Sequence, residues 1–89
     1  MTAKDGIYSR KFQEVPNIDY LKKVQKEILN TKEIKGFDFN LKSVIEFNTP
    51  LLQFLISVKQ FAISHNQSFK VTDIPFSGED LLKLYNLQL

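Results

Sequence analysis

Apolar and polar residues alternate along this chain with two different periods, and the changes of period lay out its elements. Ile7 to Phe12 alternates weakly, with Ile7, Ser9 and Lys11 on one side and Tyr8, Arg10 and Phe12 on the other. A period of two predicts a strand, and its cations suit a sheet edge, where charge discourages edge pairing. Gln13 to Pro16 reads as a connection. From Asn17 to Thr31 apolar residues recur every three or four positions, which predicts an amphipathic helix. Ile18, Leu21, Val24 and Ile28 form its inward stripe, flanked by Tyr20 and Leu29, while Lys22, Lys23, Gln25, Lys26 and Glu27 face water. Asn17 is placed to cap this helix, and Asp19 puts negative charge at the positive end of its dipole.

After Lys35-Gly36, Phe37, Phe39 and Leu41 alternate with Asp38, Asn40 and Lys42, giving a second strand with its phenylalanines on the core side. Val44, Ile45 and Phe47 lead to the junction Phe47-Asn48-Thr49-Pro50, and beyond it the period changes to that of a helix over Thr49 to His65. At about 100° per residue, Leu51, Phe54, Leu55, Val58, Phe61 and Ala62 share one face, and Gln53, Ser57, Gln60 and Ser64 form a narrow polar stripe opposite. Leu52, Ile56 and Ile63 widen the apolar arc beyond what one sheet face needs, and are expected to meet a neighbouring helix or to form a partner surface. Asn66 to Ser68 reads as a turn, and Phe69 to Ile74 as a third strand stopped by Pro75, which has no N–H for a ladder. Ser77 to Leu87 is the last helix, with Ser77 and Asp80 at capping-box spacing and Leu81, Leu84 and Tyr85 facing inward. The order β-α-β-α-β-α predicts an α/β fold with right-handed crossovers and a mostly parallel sheet.

Composition sharpens this picture mainly by exclusion. Eighty-nine residues make one small domain, residues 1–89, and 43% apolar content with eight Phe and three Tyr is enough for a core. Twelve basic and ten acidic residues leave a net charge of +2, too balanced for the clustered basic face that nucleic acid requires. With no cysteine, disulfides, thiol catalysis and cysteine-ligated metal are excluded. A single His without an acidic cluster argues against a metal site. Met1 to Gly6 is polar and reads as a frayed start with no apolar signal core after it. The longest mostly apolar run, Leu51 to Ile63, is about 13 residues and carries Gln53, Ser57, Lys59 and Gln60, whereas a membrane span needs roughly 20 apolar residues. A cytoplasmic protein without direct membrane insertion is the resulting expectation.

No catalytic constellation emerges. His65, the only imidazole, falls at a helix end, where the dipole favours a surface cation. Asp38, Glu46, Asp73, Glu79 and Asp80 form no motif, and Gly6, Gly36 and Gly78 are too isolated for a phosphate loop. The chain is read as a non-enzyme without cofactor. Thr49 alone has a specific chemical possibility: a phosphate on its hydroxyl would lie at the positive end of the central helix. Its plainer role is structural, with Thr49 as N-cap and Pro50 at the first helical position.

The segment Phe39-Asn40-Leu41-Lys42-Ser43-Val44-Ile45-Glu46-Phe47-Asn48-Thr49 resembles, without a gap, the hallmark strand and switch residue of the STAS domain family. In that family the hallmark reads Leu-Asp-Leu, two residues, Val, two residues, an apolar residue, Asp and Ser. The ending Leu82-Lys83-Leu84-Tyr85-Asn86-Leu87 is similar to that of the small STAS subunits of bacterial Mla phospholipid-transport ABC systems, which also carry Thr at the position of Thr49. The resemblance covers about 50 residues well and the N-terminal third in element order only. It implies a mixed, four-stranded sheet with helices on one side, a non-enzymatic role and protein partners. Those partners are either the cytoplasmic ATPase of an ABC transporter or, as in anti-sigma factor antagonists, an anti-sigma factor and kinase acting on a phosphorylated residue at the position of Thr49. A place at the inner face of the membrane, through a transporter complex, and homo-oligomers are both compatible with it. Asn48 stands where the family has Asp, and Pro50 and Leu51 stand where it has small residues that let a kinase approach. The short front predicts a missing or reduced N-terminal strand. The expected partner surface is Thr49 with Asn48, Leu52, Ile56 and Tyr85, at least one of the last three lying partly exposed beside Thr49.

Overall fold

The computed structural model describes residues 6–89. The frayed start expected at Met1 to Gly6 therefore lies, except for Gly6, outside the described residues. Six elements alternate: β1 (Ile7–Lys11), α1 (Ile18–Asn30), β2 (Gly36–Asn40), α2 (Thr49–Ser64), β3 (Ser68–Thr72) and α3 (Phe76–Leu84). The strands form one open sheet in the order β1-β2-β3, and both pairings are parallel. Ile7 is opposite Gly36 and Gly36 opposite Ser68 at one end; Lys11, Asn40 and Thr72 align at the other. The α/β architecture is the one the periods predict. The mixed sheet and fourth strand that the STAS resemblance implies are not present among the described residues, where three strands all run the same way.

Alternation divides the sheet into unlike faces. Tyr8, Phe37 and Phe39 are buried beneath the helices, and Phe69 and Val71 pack against the same cluster. Phe39 is the hub: its ring meets Phe12 at 5.2 Å, Phe69 at 5.9 Å edge-on, and Phe54 at 6.2 Å. Edge-to-face aromatic pairs of this kind add about 0.5–1.5 kcal/mol each beyond their buried area. The opposite face carries Ser9, Lys11, Asp38, Asn40, Lys70 and Thr72 and is open. Parallel sheets are usually covered on both faces by crossover helices. Here the two crossovers step in the same direction, β1 to β2 to β3, so right-handed connections place α1 and α2 on the same face. The bare face is correspondingly polar.

The helix ends are set by short polar side chains. The Asn17 side chain accepts the Tyr20 N–H and caps α1, as its position predicts. At α2 the expectation needs correcting. Asn48, not Thr49, is the N-cap: its Oδ1 accepts the Leu51 N–H at 2.9 Å, while its Nδ2 donates to the Pro16 carbonyl at 3.4 Å. Thr49 is then the first helical residue and Pro50 the second. Asn at the cap can use both ends of its amide, which Thr cannot. α2 and α3 both end with an Asn in the left-handed region, Asn66 (φ 55) and Asn86 (φ 54). In each, the next residue's N–H reaches back five residues, from Gln67 to Ala62 and from Leu87 to Leu82, in a Schellman motif. Ser68, expected in a turn, opens β3, and β3 stops at Thr72 because Asp73 turns into the left-handed region (φ 57).

α3 departs furthest from expectation. It starts at Phe76 after Pro75, with no side-chain cap, so Ser77 caps nothing and the capping box does not form. Gly78 and Leu82 face inward and Leu81, as expected, packs half-buried against the core, whereas Leu84 and Tyr85 are 74% and 55% exposed. The Phe47 ring lies so close that a Cβ on Gly78 would sit 2.6 Å from it. That closeness fits a helix turned with Gly78 toward the ring and with Leu84 and Tyr85 outward. On α1 and α2, Ile18 and Phe61, expected inside, are exposed. Each lies on the flank between the two helices rather than over the sheet.

Candidate functional site

The junction Phe47-Asn48-Thr49-Pro50, where the period changes, lies where β2 passes into α2, at the C-terminal edge of the sheet. Asn40 ends β2, and its side chain accepts the Lys42 N–H at 2.8 Å and donates to Asp73 at 3.2 Å, tying the ends of β2 and β3 together. Val44 and Phe47 are buried, and Ile45, whose N–H donates to the Glu14 carbonyl, turns its side chain outward at 71% exposure. Asn48 is half-buried under its cap bonds, and Thr49 is exposed one residue later.

Down α2 from Thr49, the side chains three and seven residues on are Leu52 and Ile56, on one flank of the helix. The polypeptide after α3 returns to this flank. The turn at Asn86 brings Leu87 round, and Lys59 Nζ donates to the Gln88 carbonyl at 2.8 Å, fixing the tail along α2. Thr49, Leu52, Gln53, Ile56, Tyr85 and Leu87 thereby line one shallow depression of about 280 Å³. Of the residues expected here, Thr49 and Tyr85 are exposed, Ile56 is half-buried, Leu52 is buried at the base, and Asn48 serves as the cap behind them. Leu52 thus meets the chain's own tail, while Ile56 and Tyr85 keep free surface. Leu87 and Gln53 were not anticipated. The signal for Leu87 was present in Asn86, a residue type that ends helices in the left-handed region and reverses the chain.

The chemistry this depression offers is apolar contact rimmed by one hydroxyl, one phenol and one amide. No carboxylate or imidazole lines it. His65 is the C-cap of α2; its ring stacks on Phe61 at 4.1 Å, and its Nδ1 lies 2.8 Å from the Phe61 carbonyl. Among the described residues no group of three or more His, Asp or Glu is placed to hold a metal ion. None of the helices described is long and apolar enough to cross a membrane.

A second polar cluster sits on the other flank of the fold. Arg10 pairs with Glu27, donates from Nε to the Tyr20 hydroxyl at 3.1 Å and lies over the Tyr20 ring. The Tyr8 hydroxyl also points to Glu27, at 3.4 Å. Burial pushes the Tyr8 pKa above the ordinary tyrosine value, the Glu27 carboxylate adds to this, and Arg10 counters it. These groups satisfy one another and join β1 to α1, which makes the cluster a structural tie. Comparison with family models, with curated proteins and with solved structures finds no match to this chain.

Proposed function

We propose that this chain is a non-enzymatic protein–protein interaction module of STAS-like design, an accessory subunit that docks on the ATPase of an ABC transporter, a phospholipid transporter by the resemblance of its ending. The observation that carries this reading is the depression at the head of α2, where Thr49, Ile56, Tyr85 and Leu87 come together from two distant parts of the chain. An aromatic and two aliphatic side chains around a hydroxyl, with no charge among them, suit the apolar centre of a protein interface better than a substrate site. The ungapped likeness from Phe39 to Thr49 and the Leu82 to Leu87 ending support the same choice of partner. Such a subunit works in the cytoplasm, at the inner face of the membrane through its complex. A tagged chain used as bait in lysate of its source cells should capture a nucleotide-binding ATPase; capture of none would remove the proposal's main support.

The second reading is a regulator of the anti-sigma antagonist kind, switched by phosphorylation of Thr49. Exposure of Thr49 at the first position of α2 favours it, since a phosphate there would lie at the positive end of the helix dipole. Pro50 beside it argues the other way, because its ring occupies the place of the small residue that would admit a kinase. Intact-mass measurement with and without phosphatase separates the two. A phosphatase-sensitive gain of one phosphate, lost in Thr49→Ala, supports the switch.

A further inference from the structure

A groove runs between α1 and α2, on the side of α2 away from Leu52 and Ile56, with Gln53 on the crest between it and the Thr49 depression. Its floor is Phe37, and its walls are Ile28 and Leu29 from α1 and Phe54 and Phe61 from α2. Toward the helix N-termini it continues past Ile18 and Pro50. Ile18, Leu29 and Phe61 are 56%, 73% and 45% exposed, so the fold leaves the groove's upper walls unpartnered. At about 240 Å³ its deepest part is below the roughly 300–1,000 Å³ of small-ligand pockets, and suits one or two anchoring side chains instead.

Charge says what carries those anchors. Lys22 lines the groove, and Lys26 follows one turn later on the same face of α1. The α2 rim is neutral, formed by Gln53 and Ser57. No carboxylate lines the body of the groove; Asp19 lies beyond its far end, and Glu27 is held on the other side of α1 by Arg10. An apolar trough with one cationic rim is complementary to a helix whose apolar stripe is edged by acidic residues. We infer that the α1–α2 groove is a second docking site, which takes an acidic amphipathic helix of a partner protein.

The inference is tested with two synthetic, fluorescein-labelled helical peptides, read by anisotropy on the full chain. Both carry Leu at i, i+3, i+4 and i+7; one has Glu and the other Lys at the flanking positions. The Glu peptide should bind at least tenfold more tightly than the Lys peptide at low salt, and the difference should shrink as salt screens it. Phe61→Gln, at an exposed position that folding tolerates, should weaken the Glu peptide about tenfold. Lys22→Glu with Lys26→Glu should reverse the preference. Circular dichroism verifies that the variants stay folded. Equal binding of the two peptides, or no effect of Phe61→Gln, overturns the inference. So would a dimer of the chain alone, or binding to phosphatidylglycerol vesicles, that Phe61→Gln abolishes, because the groove would then belong to a second copy or to lipid.

Discussion

Asn48 and Thr49 divide two roles that the sequence leaves superimposed on one residue. Both are good N-cap types, and local spacing cannot choose between them. The choice is made at long range, because only Asn48 can also reach the Pro16 carbonyl from its amide nitrogen. The division predicts unequal costs. Asn48→Ala should destabilise by about 1 kcal/mol or more, the usual worth of a cap, while Thr49→Ala should change stability by less than about 0.5 kcal/mol, as an exposed residue does. Urea unfolding midpoints measure both. At Tyr8 the prediction concerns pH. Its folded pKa is raised, chiefly by burial, above the 10.0 of the unfolded chain. Below that value both states hold the proton and the stabilisation is complete. As pH climbs through 10 and on toward the folded pKa, the unfolded chain ionises first and stability falls. Tyr8→Phe should therefore unfold less steeply in alkali than the parent chain, by thermal melts between pH 9 and about 11, with little difference at neutral pH.

Among the elements, α1, β2 and α2 were readable because their periods are clean, and the cap of α1 is local. The rotation of α3 was not. Its sequence offers a capping box, which does not form, and an inward face of Leu81, Leu84 and Tyr85, of which only Leu81 packs on the core, while Gly78 lies against the Phe47 ring. Gly78→Ala tests whether that contact sets the helix. In an open helix the change would add about 1 kcal/mol of helix propensity. Here the new methyl meets buried ring carbons at 2.6–3.0 Å, and overpacking of a core costs about 1–3 kcal/mol. The expected result is a net loss of stability with α3 loosened first, seen as lowered hydrogen-exchange protection over residues 78–87. A gain in stability would mean that Phe47 yields easily and that the rotation has another cause.

For the molecule as a whole, hydrophobic period predicted the α/β class, and the phenylalanines at alternate positions of β2 marked the core. It could not show how much apolar surface the sheet would leave over. Three strands give α1 and α2 a narrow base, so Ile18, Leu29 and Phe61 end beside the sheet and not on it. Nor could it bring Leu87 to Thr49, because that meeting depends on the turn at Asn86 and on the Lys59 bond to the tail. The account that results has two faces of α2 with different tasks, the Thr49–Tyr85 flank for the proposed ATPase and the Phe54–Phe61 flank for an acidic helix. Its central claim is the first of these, and the most direct test is the affinity of the captured ATPase for the parent chain, Thr49→Glu and Phe61→Gln. A charge at the rim of the apolar depression should weaken binding at least tenfold, which corresponds to about 1.4 kcal/mol, while Phe61→Gln leaves it unchanged. Equal affinity for the parent chain and Thr49→Glu would contradict the claim and move the docking surface elsewhere.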